Sequence, residues 1–283
     1  MKKFFNINII ILAVFSLFVW LPLAMIAGGS FMSGDEFQES LSPVFEEGDS
    51  ENMAKWNIIP KYPTLRPYVE VLIDSPGFFV MFWNTCKIVF PVLAGQLLIC
   101  VPAAWGFARY DFRFKNTLLL LYMVLMLMPF QVTMVSNYLV LDRLKLINTH
   151  MGIILPAVFS TFPVFIMYSF FRSVPISMIE AAEIDGAGEL EIFIYIGLPM
   201  GAPGIVSIIV LGFMEYWSII EPPLIFLKDK SLWPLSLFMP DIASGSGGLY
   251  LAASVLMIIP SMLVFLFGKK YLEKGIRAAG LKE

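Results

Sequence analysis

Charge is scarce in this sequence. Of 283 residues only 14% are Asp, Glu, Lys or Arg, against 58% hydrophobic. A soluble domain of this length needs many more charges to cover its surface, so a soluble globular fold is not the expectation. Histidine is nearly absent, with His150 alone. The two cysteines, Cys86 and Cys100, lie 14 positions apart in one apolar segment. Along a helix that is about 21 Å, too far for a disulfide, and both read as small buried apolar residues. One histidine and no cysteine cluster leave no metal-ligand set. There is also no Gly-rich loop followed by Lys-Ser/Thr, so a nucleotide's phosphates have no cradle on this chain.

What the chain does have is long apolar runs. About 20 mostly apolar residues cross a bilayer as a helix, and six such blocks are found, at about 9–27, 83–108, 117–139, 151–171, 201–220 and 249–268. The expected fold is an all-α integral membrane protein with six transmembrane helices. The first run follows Lys2-Lys3, and Ala24-Met25-Ile26-Ala27 resembles a signal-peptide cleavage site. The run exceeds the usual 7–15 residue signal core, which favours a retained first helix. Residues 28–80 differ in kind: nine acids, few bases and prolines 43, 60, 63, 67 and 76 predict a water-exposed insertion with little regular helix. Residues 1–80 are taken as one domain and 81–283 as the membrane core. Pro91 and Pro129 are expected to kink their spans.

Lysine and arginine set the orientation. One side carries eleven of them: the N-terminus, the loop Arg109-Tyr110-Asp111-Phe112-Arg113-Phe114-Lys115, Arg172, and a tail with Lys269, Lys270, Lys274, Arg277 and Lys282. The other side carries seven, three of them in the long insertion. Both termini are therefore expected in the cytoplasm, with the acidic insertion and the 221–248 loop outside.

The 172–200 loop is then cytoplasmic. Ser177 and Glu180 have capping-box spacing, and Ala181, Ala182 and Glu183 favour helix. Gly186 suits the left-handed turn that ends one. The spacing predicts a helix over 178–185, a sharp turn, and a second helical stretch over 190–196 that stops at Pro199.

Glu180-Ala181-Ala182, Asp185-Gly186-Ala187, Ile196, Leu198 and Pro199 together resemble the EAA signature of ABC importer permeases. The Ile-Asp-Gly-Ala variant is similar to the carbohydrate-importing, maltose-type branch. Asn84-Thr85, residues 104–109, Pro129, Trp217, Pro222-Pro223, Lys274-Gly275 and 278–282 extend the resemblance over about 84–283. Departures are Gly188, where the family usually has serine or threonine, and Glu215-Tyr216-Trp217-Ser218, which lacks the common Trp-Asn pair.

The resemblance implies a coupling helix, carried by Glu180, Ala181, Ala182, Asp185, Gly186 and Ala187, seated on a separate cytoplasmic ATPase. ATP and Mg would bind there, with no cofactor on this chain and no enzyme activity. It also implies a second permease subunit, an extracytoplasmic solute-binding protein and a prokaryotic inner membrane, with no nucleic-acid partner. Glu180 either caps its own helix or bonds the ATPase. Glu180, Glu183, Asp185, Glu189 and Glu191 against Arg172 point to a partner surface with basic groups. Solute would pass by alternating access.

Polar residues in spans are functional candidates. Glu215, Tyr216 and Trp217 suit a sugar pathway, since carboxylates bond hydroxyls and aromatic rings meet the apolar sugar faces. Alternatively Glu215 lies near the outer end of its span or pairs with a group such as Lys87. Gln131 and Asn137 are weaker pathway candidates, and with Asn84 and Gln96 they read equally as helix–helix hydrogen-bond partners. Rival classes are an ABC permease for a polyamine or amino acid, an ion-coupled secondary transporter, and a non-transport scaffold. The secondary transporter would need midplane acids and typically inverted repeats, neither of which is found.

Overall fold

The structure is a computed structural model that describes residues 2–45, 59–238 and 247–280, with side chains placed for 9–40, 59–238 and 247–272. Glu46, Glu47, Asp49, Glu51, Lys55 and the pair Gly245-Ser246 lie outside the described residues. So do the side chains of Lys2 and Lys3 and those of the tail from Glu273 onward.

Among the described residues every regular element is helical. In order they are α1 (Lys2–Gly29), α2 (Gly34–Phe45), α3 (Arg66–Val69), α4 (Pro76–Arg109), α5 (Lys115–Leu127), α6 (Phe130–Arg143), α7 (Met151–Val158) and α8 (Thr161–Arg172). There follow α9 (Ile176–Ile184), α10 (Glu189–Ile192), α11 (Leu198–Trp217), α12 (Glu221–Phe226) and α13 (Gly247–Gly280). Five stretches are long and apolar enough to cross a membrane: Ile9–Gly29, Pro76–Arg109, Met151–Arg172, Glu189–Trp217 and Gly247–Leu272. The bent pair α5 and α6 adds a sixth if it counts as one span.

Two compact units divide the chain, Met1–Val80 with Phe238–Pro260, and Met81–Leu237 with Ser261–Glu283. In the first unit the insertion holds more helix than its prolines led us to expect. Ser33 Oγ accepts the Glu36 N–H at 3.3 Å, and Asp35 and Glu36 sit in the first turn of α2. This is a capped helix start with acids at its positive end. The Glu36 carboxylate is buried and accepts the Lys61 N–H at 2.7 Å and the Tyr62 N–H at 3.4 Å. Ser30 Oγ lies 2.7 Å from Tyr68 Oη. One of the nine acids is thus a structural bracket, and the segment is not wholly solvent-exposed.

The second unit holds the larger core. Trp105 meets Phe171 edge-on at 5.2 Å and Phe193 at 5.7 Å, among buried Cys100, Val164, Met167 and Ile208. Helices α8 and α11 approach closely because Gly201 and Gly204 face rings. A Cβ on Gly201 would lie 2.5 Å from Phe171, and one on Gly204 2.6 Å from Phe170. In a bilayer, where water does not drive helices together, such small residues allow the contact.

Two spans expected to be single helices are broken. Helices α5 and α6 meet at 102°. Met128 is extended (φ −74°, ψ 120°), as the residue before a proline prefers, and Pro129 (φ −66°, ψ 149°) starts α6. Pro129 therefore breaks its span rather than kinking it. Between α7 and α8, Ser160 is extended at φ −57°, ψ 139°. Helix α4, by contrast, runs on through Pro91 and Pro102.

Pro199 does not stop the stretch that leads into α11. A wider turn at Phe193–Gly197, with i→i+5 bonding, lies directly before α11, and Pro199 falls in the first turn that follows. A proline is tolerated there because its missing N–H would be unpaired anyway.

Asn84 and Thr85, buried on α4, hold the 229–237 segment. Asn84 Nδ2 donates to the carbonyls of Ser231 at 2.7 Å and Trp233 at 3.2 Å, and Thr85 Oγ1 accepts the Leu235 N–H at 2.7 Å. From the other side Asn148, itself left-handed at φ 61°, accepts the N–H groups of Lys228 and Asp229. His150 Nε2 lies 3.0 Å from the Leu232 carbonyl. Both Asn84 and His150 are structural ties.

Candidate functional site

The 172–200 loop opens with a short helix, α9. Pro175, extended at ψ 128°, precedes α9, so the helix begins at Ile176. Ser177 already lies in its first turn, and no side chain caps it. The expected Ser177–Glu180 capping box is therefore not formed. A proline with fixed φ sets the entry instead.

The C-terminal end matches the expectation. Gly186 has φ +84°, the Gly186 N–H donates to the Glu183 carbonyl at 3.1 Å, and the Ala187 N–H to that of Ala182 at 2.9 Å. This pair of bonds is the Schellman closure.

Ile179 is buried in the core with Val174 and Ile192, and Ala182 and Ala187 pack against the same cluster. Glu180, Ala181, Asp185 and Gly186 are exposed. The small residues thus divide: Ala182 and Ala187 fit the helix to its own chain, and Ala181 faces outward.

Three of the five loop acids are engaged internally. Glu183 pairs with Arg109, the last residue of α4. Glu189 accepts the Tyr110 hydroxyl at 2.7 Å, and Glu191 accepts the Gly188 N–H at 2.9 Å. The bond to the Glu189 carboxylate pushes the Tyr110 hydroxyl above its ordinary range, with burial adding to the rise. Only the Glu183 charge is offset by a cation, and all five acids remain exposed. Glu180 and Asp185 make no side-chain hydrogen bond or ion pair among the described residues, so neither end of α9 is capped by Glu180. Arg109 and Tyr110 were not singled out as partners of this loop, since 74 or more positions separate each from the acid it holds.

A second candidate site is a cavity of about 940 Å³. It lies where three helix breaks meet: Met128 between α5 and α6, Phe159-Ser160 between α7 and α8, and Ser218–Ile220 between α11 and α12. Non-helical backbone at membrane depth is tolerated where it lines such a space.

Glu215, Tyr216 and Asn137 line the cavity. Tyr216 is buried, and its hydroxyl accepts Gln96 Nε2 at 3.1 Å. Gln96 Nε2 also reaches the Ala157 carbonyl at 2.9 Å, so this amide braces the wall from behind. Gln131 is not in the wall but donates to Glu221 Oε1 at 2.7 Å, and Glu221 is. Trp217 lies elsewhere: it is buried, stacked on Phe213 at 5.1 Å and edge-on to Phe82 at 5.8 Å. Lys87 is exposed and forms no ion pair with Glu215 among the described residues. Sequence reasoning missed Glu221, hidden as one acid in a polar stretch beside Pro222-Pro223.

Residues 96–278 match the family described as "Binding-protein-dependent transport system inner membrane component". The chain belongs to this family. It is a multi-pass membrane permease subunit of an ABC importer, not an enzyme.

Relatives of this permease agree. It is 31% identical, over 78% of its length and 82% of the relative's, to a probable ABC transporter permease protein of Pyrococcus horikoshii. It is 27% identical to the arabinooligosaccharides permease AraQ of Halalkalibacterium halodurans, covering 79% and 81%. It is 26% identical to the maltose/maltodextrin permease MalG of Photorhabdus laumondii, covering 96% and 94%. Its fold is that of a bacterial ABC transporter involved in import of the acidic polysaccharide alginate, with TM-score 0.79, 22% identity and coverage of 95% and 96%.

Proposed function

We propose that this permease moves a sugar or oligosaccharide inward, driven by a separate cytoplasmic ATPase on which α9 docks as the coupling helix. Six spans cross the membrane, α5 and α6 together forming the third, and both termini are cytoplasmic. The observation that carries the reading is the division of α9. Ile179 fastens one face to the core, and Glu180, Ala181 and Asp185 are left exposed. A partner with basic groups would meet Glu180 and Asp185 by charge-assisted bonds. ATP and Mg belong to that partner.

The sugar assignment is supported by the relatives' names and by the cavity, which combines carboxylates, hydroxyls and aromatic rings. A second permease subunit would complete the pathway, and an extracytoplasmic binding protein would deliver the solute.

The test is uptake of labelled oligosaccharide into proteoliposomes holding this chain with its partner permease and ATPase. Uptake that requires internal-face ATP and an added binding protein is expected. Uptake driven by an ion gradient alone would overturn the reading.

A further inference from the structure

The cavity between the broken helices carries charge of one sign. Glu215 and Glu221 are charged lining residues, and no Lys, Arg or His is among the side chains that line it. The two carboxylates are not equivalent. Glu221 is engaged by Gln131. Glu215 is exposed at the wall, without a hydrogen-bond or ion-pair partner among the described residues. An unpaired carboxylate on an apolar span is costly, and the cost is met where a solute brings donors to it. Thr133, Asn137 and Ser160 add further hydroxyl and amide groups to the same wall.

Resting on the reading of the chain as a sugar permease, we infer that this cavity admits uncharged oligosaccharides and rejects carboxylate-bearing ones, with Glu215 as the specificity-determining residue. A sugar hydroxyl donates to a carboxylate oxygen. A uronate carboxylate offers only acceptors and the same sign of charge. For like charges about 8 Å apart at an effective dielectric near 20, the repulsion disfavours occupancy by roughly thirty-fold. Likeness of fold to an importer of an acidic polysaccharide does not set the sign of this wall, because the side chains that line it are a local property.

The experiment uses the complete reconstituted importer. The probes are the best-transported neutral pentasaccharide and its analogue with one primary hydroxyl oxidised to a carboxylate. Each is supplied at a concentration shown by calorimetry to saturate the binding protein, so that delivery is equal. The wild-type complex is expected to take up the oxidised sugar about thirty-fold more slowly. That ratio should rise toward one in Glu215→Gln and further in Glu215→Lys. Equal wild-type rates for the two sugars would overturn the inference, as would a ratio unmoved by Glu215→Gln, while leaving the permease reading intact. If no oligosaccharide were taken up at all, the sugar reading itself would fall, and this inference with it.

Discussion

Arg109, the last residue of α4, forms an ion pair with Glu183 in α9. The next residue, Tyr110, donates to Glu189 at the start of α10. Two consecutive residues at the end of one span therefore grip both arms of the 172–200 loop. On the proposed coupling role, a push on the loop would reach the α4 terminus through these two contacts as well as through Ile179.

Breaking this grip should affect coupling more than stability. Glu183 is partly exposed, so the pair is worth about 1 kcal/mol or less. Arg109→Ala is expected to leave thermal unfolding of the purified complex within a few degrees of wild type. Sugar uptake per ATP hydrolysed should fall several-fold. The swap Arg109→Glu with Glu183→Arg should restore part of it, and failure of the swap alongside severe unfolding would show a purely structural pair.

Gly186 tests the turn. An added Cβ meets nothing within 4 Å, so any penalty is conformational. A non-glycine residue in left-handed conformation costs about 1–2 kcal/mol. Gly186→Val should uncouple uptake from ATP hydrolysis while membrane insertion persists. Gly186→Asn, which tolerates that conformation, should be milder. Normal uptake by the valine variant would remove the turn from the mechanism.

Glu180 tests the exposed face. It bonds nothing among the described residues, so Glu180→Lys should leave insertion and folding unchanged. Retention of the ATPase subunit on a permease affinity column should fall about ten-fold, in line with loss of a charge-assisted contact. Undiminished retention with normal uptake would place docking elsewhere.

Asn84 tests the tie between α4 and the 229–237 segment. Asn84→Ala leaves two part-buried carbonyls without their donor, at about 1–3 kcal/mol. Hydrogen exchange at the amides of residues 228–237 is expected to accelerate, with exchange in α8 unchanged. Equal protection in both proteins would refute the tie.

Helix packing is tested at Gly204. Its Cβ position is filled by the Phe170 ring and Met167 sulfur, which lie under 3 Å away. Gly204→Ala should destabilise by about 1–3 kcal/mol through overpacking, read as a lower unfolding midpoint in detergent. Gly106→Ala, in open space, is the control.

Much of this was legible in the residues. The apolar runs coincide with the five long apolar helices and the bent pair α5 and α6, because about 20 residues without charge have few other uses. The Gly186 turn was readable because only glycine takes that conformation cheaply. Other features depended on distance. Pro129 opens α6 beyond a 102° bend while α4 continues past Pro91 and Pro102, and a proline by itself does not tell the two outcomes apart. The partners of Glu183 and Glu189 lie at and just past the end of α4, 74 and 79 positions away, so the loop's own residues did not reveal them. Ser33 and Glu36 did carry a helix-start signature, but it was obscured by the prolines around it. Trp217 looked like a pathway residue because it lies two positions from Glu215, yet at about 100° per residue two steps carry it to nearly the opposite side of the helix.

The three breaks around the cavity have a consequence for hydration. Wherever a helix stops, its final carbonyls and the next helix's opening amides leave the ladder. Such groups need a polar companion whatever side chains surround them, so the hollow favours wetness over emptiness. A polyhydroxylated cargo could replace that moisture bond for bond, as a greasy one could not. On the proposed reading, part of the discrimination between sugar and lipid would rest on the backbone, before any side chain is chosen.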